Sequence, residues 1–478
     1  MGVFARKGWL YFIAIVIIFL SYYTISDGYF FMLAIPFAII EIYLLIYRID
    51  LLILGLFFLT PLSIEYRFGD YGLNVPTELV LIPLFLLFIL KILRGELDTK
   101  IFRHPVSICI LLHLLWIFIT TLNSQMFWVS FKFFLSRCWF VLVMYFWVLE
   151  LYKKEENITR TLWLYLAGFS IVIGYIFVIH SRHGFVEEVA HWAPTPFYND
   201  HTAYGAALAL YLPPLVALLV NMKGWKRFIP LGYVLLLLVC LVFSYTRASW
   251  LGIAVACIIT FLHVMRIKPM VILLSVLIMG CVGVMMQDKI RVILEHNKQD
   301  SSSNFLSHIQ SMANVSTDAS NIERFNRWAA AFRMFAERPV MGFGPGTYMF
   351  LYAPYQRSFQ RSTITTNLGN LGNAHSEYFG PLSEQGIFGL LMLLSILVAV
   401  SIKAIQLIRD KSLEKKYRNL VFGVLMGLIT YFIHGCLNNF LDTDKASIPV
   451  WSFMAIIVAI DLYCRKDSGK LESAAAGQ

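Results

Sequence analysis

The chain has 478 residues, of which 59% are hydrophobic and 14% charged, and its formal net charge is +10. A soluble globular domain is roughly half apolar and about a quarter charged, so this composition excludes an ordinary soluble protein and indicates a membrane protein. The net charge does not predict nucleic-acid binding, because Lys and Arg collect in the cytoplasmic loops of membrane proteins. The seven cysteines lie in or beside apolar segments and have neither metal-site spacing nor the pattern of a disulfide framework.

Apolar segments dominate the chain. A bilayer core about 30 Å thick requires about 20 apolar helical residues. Fourteen segments approach this length, and the third is the shortest: 8–26, 29–47, 50–63, 77–94, 104–122, 133–152, 160–180, 202–222, 229–245, 248–265, 269–287, 381–407, 419–438 and 447–463. We therefore predict an all-α, polytopic membrane protein with about 14 transmembrane helices. Its first eleven helices fall within residues 1–286 and its last three within residues 379–466, followed by a disordered cytoplasmic tail at 467–478.

The distribution of basic residues orients these segments. With the N-terminus inside, clusters of Lys and Arg at 91–103, 153–154, 223–227 and 409–418 all fall on one side. By the positive-inside rule that side is cytoplasmic. The opposite, non-cytoplasmic side then carries the long polar segment 287–378, so the polar candidate residues face away from cytoplasmic nucleotides.

Residues 287–378 predict a helical periplasmic subdomain. Ser320 and Glu323 have the spacing of a capping box, which predicts a helix that starts there and ends before Pro339. Aromatic residues at spacings of three and four predict an apolar stripe on this helix: Phe325, Trp328, Phe332 and Phe335. The glycines at 342, 344 and 346 follow no predicted strand, so they indicate a tight connecting turn rather than a dinucleotide-binding loop.

Three arginines on this side are candidates for binding an anion. Arg247 lies at the outer end of a membrane segment, where it either anchors the helix at the headgroups or offers two parallel donors to a phosphate or pyrophosphate. Arg324 and Arg327 are three residues apart on one flank of the predicted helix, and their alternative is a solvated helix face. All three could converge on one anionic headgroup.

His375 stands at the mouth of the twelfth segment. An imidazole with an ordinary pKa near 6.5 takes a proton from a hydroxyl near neutral pH; the alternative is a hydrogen-bonded interfacial histidine. Glu377 is its candidate orienting partner, or a carboxylate at a helix start. Asp200 and His201 cap the eighth segment or line an acceptor groove. The outer face has no Asp-x-Asp or His-rich spacing, which predicts a metal-independent reaction.

Three further polar side chains lie within the membrane segments themselves. Such groups are costly in lipid, so we expect them to face the interior of the bundle. They are His113 in the fifth segment, and Lys132 and Arg137 in the sixth.

Four motifs, in this order along residues 195–395, resemble those of the O-antigen ligase and O-antigen polymerase superfamily. They are Thr246-Arg247-Ala248-Ser249-Trp250; Arg324 with Trp328; Pro339, Gly342 and Gly344; and His375-Ser376 followed after nine residues by Gly386. The chain departs from the family pattern at Gly380-Pro381, where a proline interrupts the helix, and in having more than the usual dozen segments.

The resemblance implies an inverting transfer of a glycan from undecaprenyl pyrophosphate to an acceptor sugar, without metal or cofactor, at the periplasmic face of a bacterial inner membrane. It implies that Arg247 and Arg324 hold the pyrophosphate and that His375 is the general base or orients the acceptor. The predicted substrate-binding residues are Arg327, Trp328, Glu377, Tyr378, Asp200 and His201. The expected partners are the lipid-linked donor, the saccharide acceptor and membrane lipids, and no nucleic acid.

The acceptor distinguishes two members of this superfamily. Lipid A core makes the enzyme a ligase, which the single long loop favours, whereas a second lipid-linked repeat makes it a polymerase, which the extra segments favour. A flippase-type polysaccharide transporter would have about fourteen helices, but it should have short loops on both sides. A non-catalytic membrane scaffold would leave the arginines and His375 unexplained.

Overall fold

The computed structural model describes residues 34–68, 71–266, 319–358 and 372–465. This part of the chain is mostly helical, as predicted. Its α-helices are α1 Ala34–Tyr47, α2 Ile49–Leu59, α3 Thr77–Leu93, α4 Thr99–Arg103, α5 Pro105–Leu122, α6 Phe127–Leu151, α7 Glu156–Arg182, α8 Glu187–Ala190, α9 His201–Asn221, α10 Phe228–Phe243, α11 Arg247–Val264, α12 Ala319–Glu337, α13 Tyr348–Leu351, α14 Phe379–Arg409, α15 Lys415–His434 and α16 Asp444–Tyr463. A π-helical stretch, Leu142–Trp147, lies within α6.

Within the described residues, eight helical segments are long and apolar enough to cross a membrane by length and composition. They are α5, α6, α7, α9, α10 with its preceding turn, α11, α14 and α16. The third predicted segment forms a shorter apolar helix, Ile49–Leu62. The first and eleventh predicted segments lie outside the described residues, so the count of fourteen stays a prediction.

A small β-hairpin adds to the otherwise helical fold of the described residues. Strands β1, Ile64–Phe68, and β2, Tyr71–Val75, pair antiparallel, with Ile64 opposite Val75 and Tyr66 opposite Leu73. The sequence predicted only a loop between the third and fourth segments. The hairpin therefore fills the connection between α2 and α3.

Glycines allow α15 to pack closely against α9 and α11. A Cβ at Gly427 would lie 2.5 Å from the carbonyl oxygen of Leu210, and a Cβ at Gly252 would lie 2.7 Å from that of Thr430. Small residues of this kind let membrane helices approach backbone to backbone. Helix α15 runs antiparallel to both neighbours, so its end lies beside the starts of α9 and α11.

Two of the three polar residues predicted to face the interior do so. His113 and Arg137 are buried, and Arg137 donates hydrogen bonds to the carbonyl oxygen of Leu441 at 3.1 Å and to the carboxylate of Asp442 at 2.5 Å. Lys132 is exposed, so that prediction is wrong. Lys132 and Arg137 are five residues apart, which at about 100° per residue separates their side chains by about 140° around one helix.

The predicted loop helix is confirmed by α12, but its buried face is not the aromatic stripe. Phe325 and Phe332 are 46% and 47% exposed. The buried positions are Glu323, Asn326, Arg327, Ala330, Ala331 and Met334. The spacing of aromatic residues predicts the buried face of a helix only when that face meets an apolar neighbour. Helix α12 instead packs its small and polar face against the tyrosines of the segment 348–352.

Candidate active site

The candidate residues meet at one end of the bundle. The starts of α9 and α11 and the end of α15 come together there through the helix packing described above. The long helix α12 and the segment 372–378 lie against this end, since Arg324 Nε donates to the carbonyl oxygen of Leu437 at 3.2 Å, just after α15. Residues that are almost 200 positions apart in the sequence therefore share one site.

The backbone of His375 has a left-handed conformation, with φ 48°. A side chain larger than glycine is rarely found there, and such strain, of order 1–3 kcal/mol, is typical of functional sites. Two contacts hold the conformation: the His375 N–H donates to Asn373 Oδ1 at 3.0 Å, and Trp328 Nε1 donates to the His375 carbonyl oxygen at 3.4 Å. The structure thus brings the side chain of Trp328 together with the backbone of His375.

Arg327 holds in place the segment that carries His375. Its guanidinium is buried, with Nε 2.7 Å from Glu323 Oε1 and Nη1 donating to the Asn373 carbonyl oxygen at 3.3 Å. It also lies 4.5 Å from the centre of the Tyr352 ring. A Cβ at Gly372 would lie 1.9 Å from Nη1, so a larger residue there would displace the guanidinium. This geometry supports a positioning role for Arg327.

The half-buried Arg324 lies closer to the open part of the site. Burial, together with the positive charges of Arg327 and Arg324, lowers the pKa of His375 to about 4, against the opposing effects of Glu323 and Asp200. His375 is therefore neutral at neutral pH.

Asp200 is the N-cap of α9, as expected. Its Oδ1 accepts a hydrogen bond from the Thr202 N–H at 2.9 Å and lies 3.0 Å from His201 Nδ1. Burial raises the pKa of Asp200, but the hydrogen bonds from His201 and Thr202 outweigh this effect and lower it below its usual range. Asp200 is therefore a carboxylate at neutral pH, and its negative charge raises the pKa of His375.

Arg247 is the first residue of α11 and is half-buried. The preceding residue, Thr246, donates a hydrogen bond from its hydroxyl to the His201 carbonyl oxygen at 3.2 Å. Gly205 allows this contact, because a Cβ there would lie 2.5 Å from Thr246 Oγ1. The Thr-Arg motif is thus fixed to the start of α9, beside Asp200 and His201.

Glu377 and Tyr378 bind the end of α15 rather than the imidazole. The buried Glu377 Oε1 accepts hydrogen bonds from the Tyr431 hydroxyl and from the N–H groups of Phe440 and Leu441, at 2.7–2.8 Å. Burial and then Asp442 raise the pKa of Glu377 to about 7. The Tyr378 hydroxyl donates to the Phe432 carbonyl oxygen at 2.9 Å. Glu377 thus neither caps a helix start nor orients His375 through these bonds; it secures the loop after α15.

The last two motifs form a single joint, which we call the glycine joint: residues 339–346 packed against residues 383–387. Gly386 has φ 69° and ψ −168° and breaks α14, and the next N–H, of Ile387, donates to the Pro339 carbonyl oxygen at 2.8 Å. The Gly344 N–H donates to the Glu384 carbonyl oxygen at 2.8 Å. The tight turn is confirmed by positive φ at Gly342, Gly344 and Gly346.

The expected interruption at Gly380-Pro381 is wrong. Helix α14 begins at Phe379 and runs through Pro381. A proline in the first helical turn removes an N–H that has no partner within the helix. The break lies instead at Gly386, where the backbone of the turn supplies the missing hydrogen bond.

His434 was not singled out from the sequence. It ends α15, is 1% exposed, and neither ring nitrogen has a hydrogen-bond partner within the described residues. Asp200, Arg324 and His201 all lie within electrostatic range of it. No spacing pattern marks a histidine at the end of an apolar helix, so only the fold reveals that His434 adds a further imidazole to this site.

Within the described part of the chain, no group of three or more His, Cys, Asp or Glu side chains has the geometry to hold a metal ion. The predicted site residues instead comprise cations, a carboxylate and histidines around one end of the bundle.

Comparison with known proteins agrees with the motifs. Residues 232–394 match the family model described as O-Antigen ligase, a range that contains Arg247, Arg324, His375 and the glycine joint. No curated protein matches the chain. The four ordered motifs and this match agree that residues 232–394, within a chain of membrane-type helices, are similar to O-antigen ligases.

Proposed function

We propose that the protein is an O-antigen ligase-like glycosyltransferase that moves a glycan from undecaprenyl pyrophosphate to an acceptor sugar hydroxyl at the periplasmic face. The observation that carries this proposal is the convergence of Arg324 and His375, with Asp200 and His201, at one end of a helical bundle. Two arginines, including Arg247, suit a pyrophosphate. A neutral imidazole beside them suits a hydroxyl that must lose a proton.

These residues account for the proton and the charge that the reaction transfers. The acceptor oxygen attacks the anomeric carbon of the donor on the face opposite the pyrophosphate, the bond from that carbon to the pyrophosphate oxygen breaks, and the configuration inverts. His375 takes the hydroxyl proton. Arg324 and Arg247 stabilise the negative charge that grows on the leaving pyrophosphate, as fixed donors do for charge that develops in a transition state.

Donor binding would activate His375. In the empty site burial, Arg327 and Arg324 together lower the pKa of His375 to about 4. A bound pyrophosphate brings negative charge between these cations and the imidazole, and a nearby anion favours the protonated form of a histidine. The pKa of His375 should therefore rise when the donor binds, so the base becomes effective only when a donor is present.

Arg327 would act through His375 and not on the substrate. Its guanidinium is already engaged by Glu323, Asn373 and the Tyr352 ring. It fixes the backbone two residues before the strained His375. The predicted substrate-binding roles of Trp328, Tyr378 and Glu377 likewise correspond to residues that hold the His375 segment in place.

Reconstitution tests the proposal. The purified protein in liposomes receives an undecaprenyl-pyrophosphate-linked glycan together with either lipid A core or a second lipid-linked repeat. Glycan attached to lipid A core supports the ligase, which the single long loop favours, whereas joined repeats identify a polymerase. Labelled lipid that crosses the bilayer without either product would refute transfer and identify a transporter.

A further inference from the structure

A cavity lies at the end of the bundle opposite His375. Its volume is about 560 Å³, and it opens between the start of α2, the end of α3, the end of α6 and the start of α7. Helix α3 shows that the two ends differ: Thr77 at its start donates to Asp444 at 2.6 Å, at the site end, while Lys91 near its other end lines the cavity. The positive-inside rule predicts that this second end faces the cytoplasm.

The cavity has one apolar wall and a basic rim. Leu87 and Leu90 line it along α3, and Leu90 is 48% exposed. The cations on its rim are Lys91, Arg94, Lys153 and Lys154. Such a division suits a ligand that carries an anionic group at one end and a hydrocarbon chain at the other.

The carboxylates at the rim do not balance these cations. Glu150 is shared by two ammonium groups, since it pairs with Lys91 and lies 3.7 Å from Lys153 Nζ. Asp50 is paired with Arg48, a residue outside the cavity lining, at 3.3 Å.

Glu96 is 3.9 Å from Arg94, and both are exposed. Lys153 also lies 3.9 Å from Asp98 Oδ2. The four cations of the lining nevertheless outnumber its three carboxylates, Asp50, Glu96 and Glu150, which leaves an excess of positive charge beside the apolar wall.

We propose that this cavity binds an anionic phospholipid of the adjacent leaflet. Lys153 and Lys154 hold the phosphate, and the acyl chain lies along Leu87 and Leu90. Basic pockets between membrane helices bind the headgroups of anionic lipids in this way, and each basic residue near such a lipid contributes measurably to binding. The lysine stems themselves cover apolar surface and present their ammonium groups at the polar boundary.

The test uses the purified full chain in detergent, titrated with phosphatidylglycerol, with phosphatidylcholine of the same acyl chains, and with glycerol phosphate. Bound lipid is counted by native mass spectrometry, and thermal stability is followed in parallel. In the double variant Lys153→Gln/Lys154→Gln, the affinity for phosphatidylglycerol should fall about thirtyfold. The matched control is Lys411→Gln/Lys415→Gln, which removes the same charge at the same end from exposed positions outside the cavity; it should bind as the wild type does.

A third variant, Leu90→Trp, keeps every charge and fills the apolar wall. It should weaken phosphatidylglycerol binding while leaving the folded protein intact, because Leu90 is largely exposed. Equal binding of phosphatidylglycerol by the cavity and control variants would overturn the proposal, as would equal binding of phosphatidylcholine by the wild type. Glycerol phosphate that displaces the lipid completely would show that a free phosphate, and not a lipid, is the ligand.

Discussion

The substitution Gly386→Ala tests the glycine joint. Gly386 has φ 69° and ψ −168°, a region essentially restricted to glycine. A Cβ there would lie 2.0 Å from the Val340 carbonyl oxygen and 2.7 Å from that of Pro339. Both are backbone atoms of a tight turn, so no side-chain rotation relieves the overlap. The turn must separate from α14.

The expected destabilisation of the glycine joint has two contributions. The backbone conformation costs an alanine about 1–3 kcal/mol. Separation of the turn loses two backbone hydrogen bonds, Ile387 N to Pro339 O and Gly344 N to Glu384 O, both 2.8 Å long, each worth about 0.5–1.5 kcal/mol. The joint is therefore destabilised by about 2–6 kcal/mol, enough to release the turn in most molecules.

Glycan transfer by the reconstituted variant measures the consequence, and limited proteolysis near residues 339–346 reports whether the turn has separated. Transfer should fall at least about thirtyfold, with new cleavage in the turn, because α12 and the His375 segment lose their common support. The matched control is Gly232→Ala in α10, where a Cβ meets nothing within 4 Å; it should be as active as the wild type. Full activity of Gly386→Ala, with the turn still protected, would refute the reasoning.

Three other predictions concern the site itself. Arg247→Ala, Arg324→Ala and His375→Ala should each abolish transfer while the protein remains folded in the membrane; full activity of the His375 variant would exclude it as the base. The rate should rise with pH as His375 loses its proton. The acidic limb of the kcat/KM profile should lie near pH 4, the pKa of His375 in the empty site, and the acidic limb of the kcat profile should lie at higher pH. A kcat limb at lower pH than the kcat/KM limb would contradict activation by the donor. Arg327→Met removes the ion pair of the buried Glu323 carboxylate and should cost about 3–5 kcal/mol in thermal unfolding, and adding Glu323→Gln should recover most of that loss if charge burial is the cause.

The apolar segments were the most predictable part of the fold. Helices α5, α9 and α11 begin and end within a residue or two of their predicted bounds, because a long apolar run between polar residues leaves few alternatives in a membrane. The helix at Ala319–Glu337 was also predicted, from its capping pattern and from Pro339. In each case the prediction rests on residues that are close together in the sequence.

Features that depend on distant residues were not predictable. The partners of Glu377 come from Tyr431 and the loop at residues 440–441, and no local pattern associates these positions. The buried face of α12 is set by Tyr348 and Tyr352, so its aromatic periodicity indicated the wrong side. His434 belongs to the site only because α15 ends beside Arg324.

The glycine joint also limits which segments can be exchanged between related chains. The turn at residues 339–346 completes the hydrogen bonding of a helix that belongs to the membrane bundle, so loop and bundle share one set of backbone contacts. A chimera that replaces residues 319–358 alone would pair a foreign turn with the native Gly386. A graft intended to transfer acceptor specificity should therefore carry residues 383–387 with it, and the two segments are expected to be inherited as one unit.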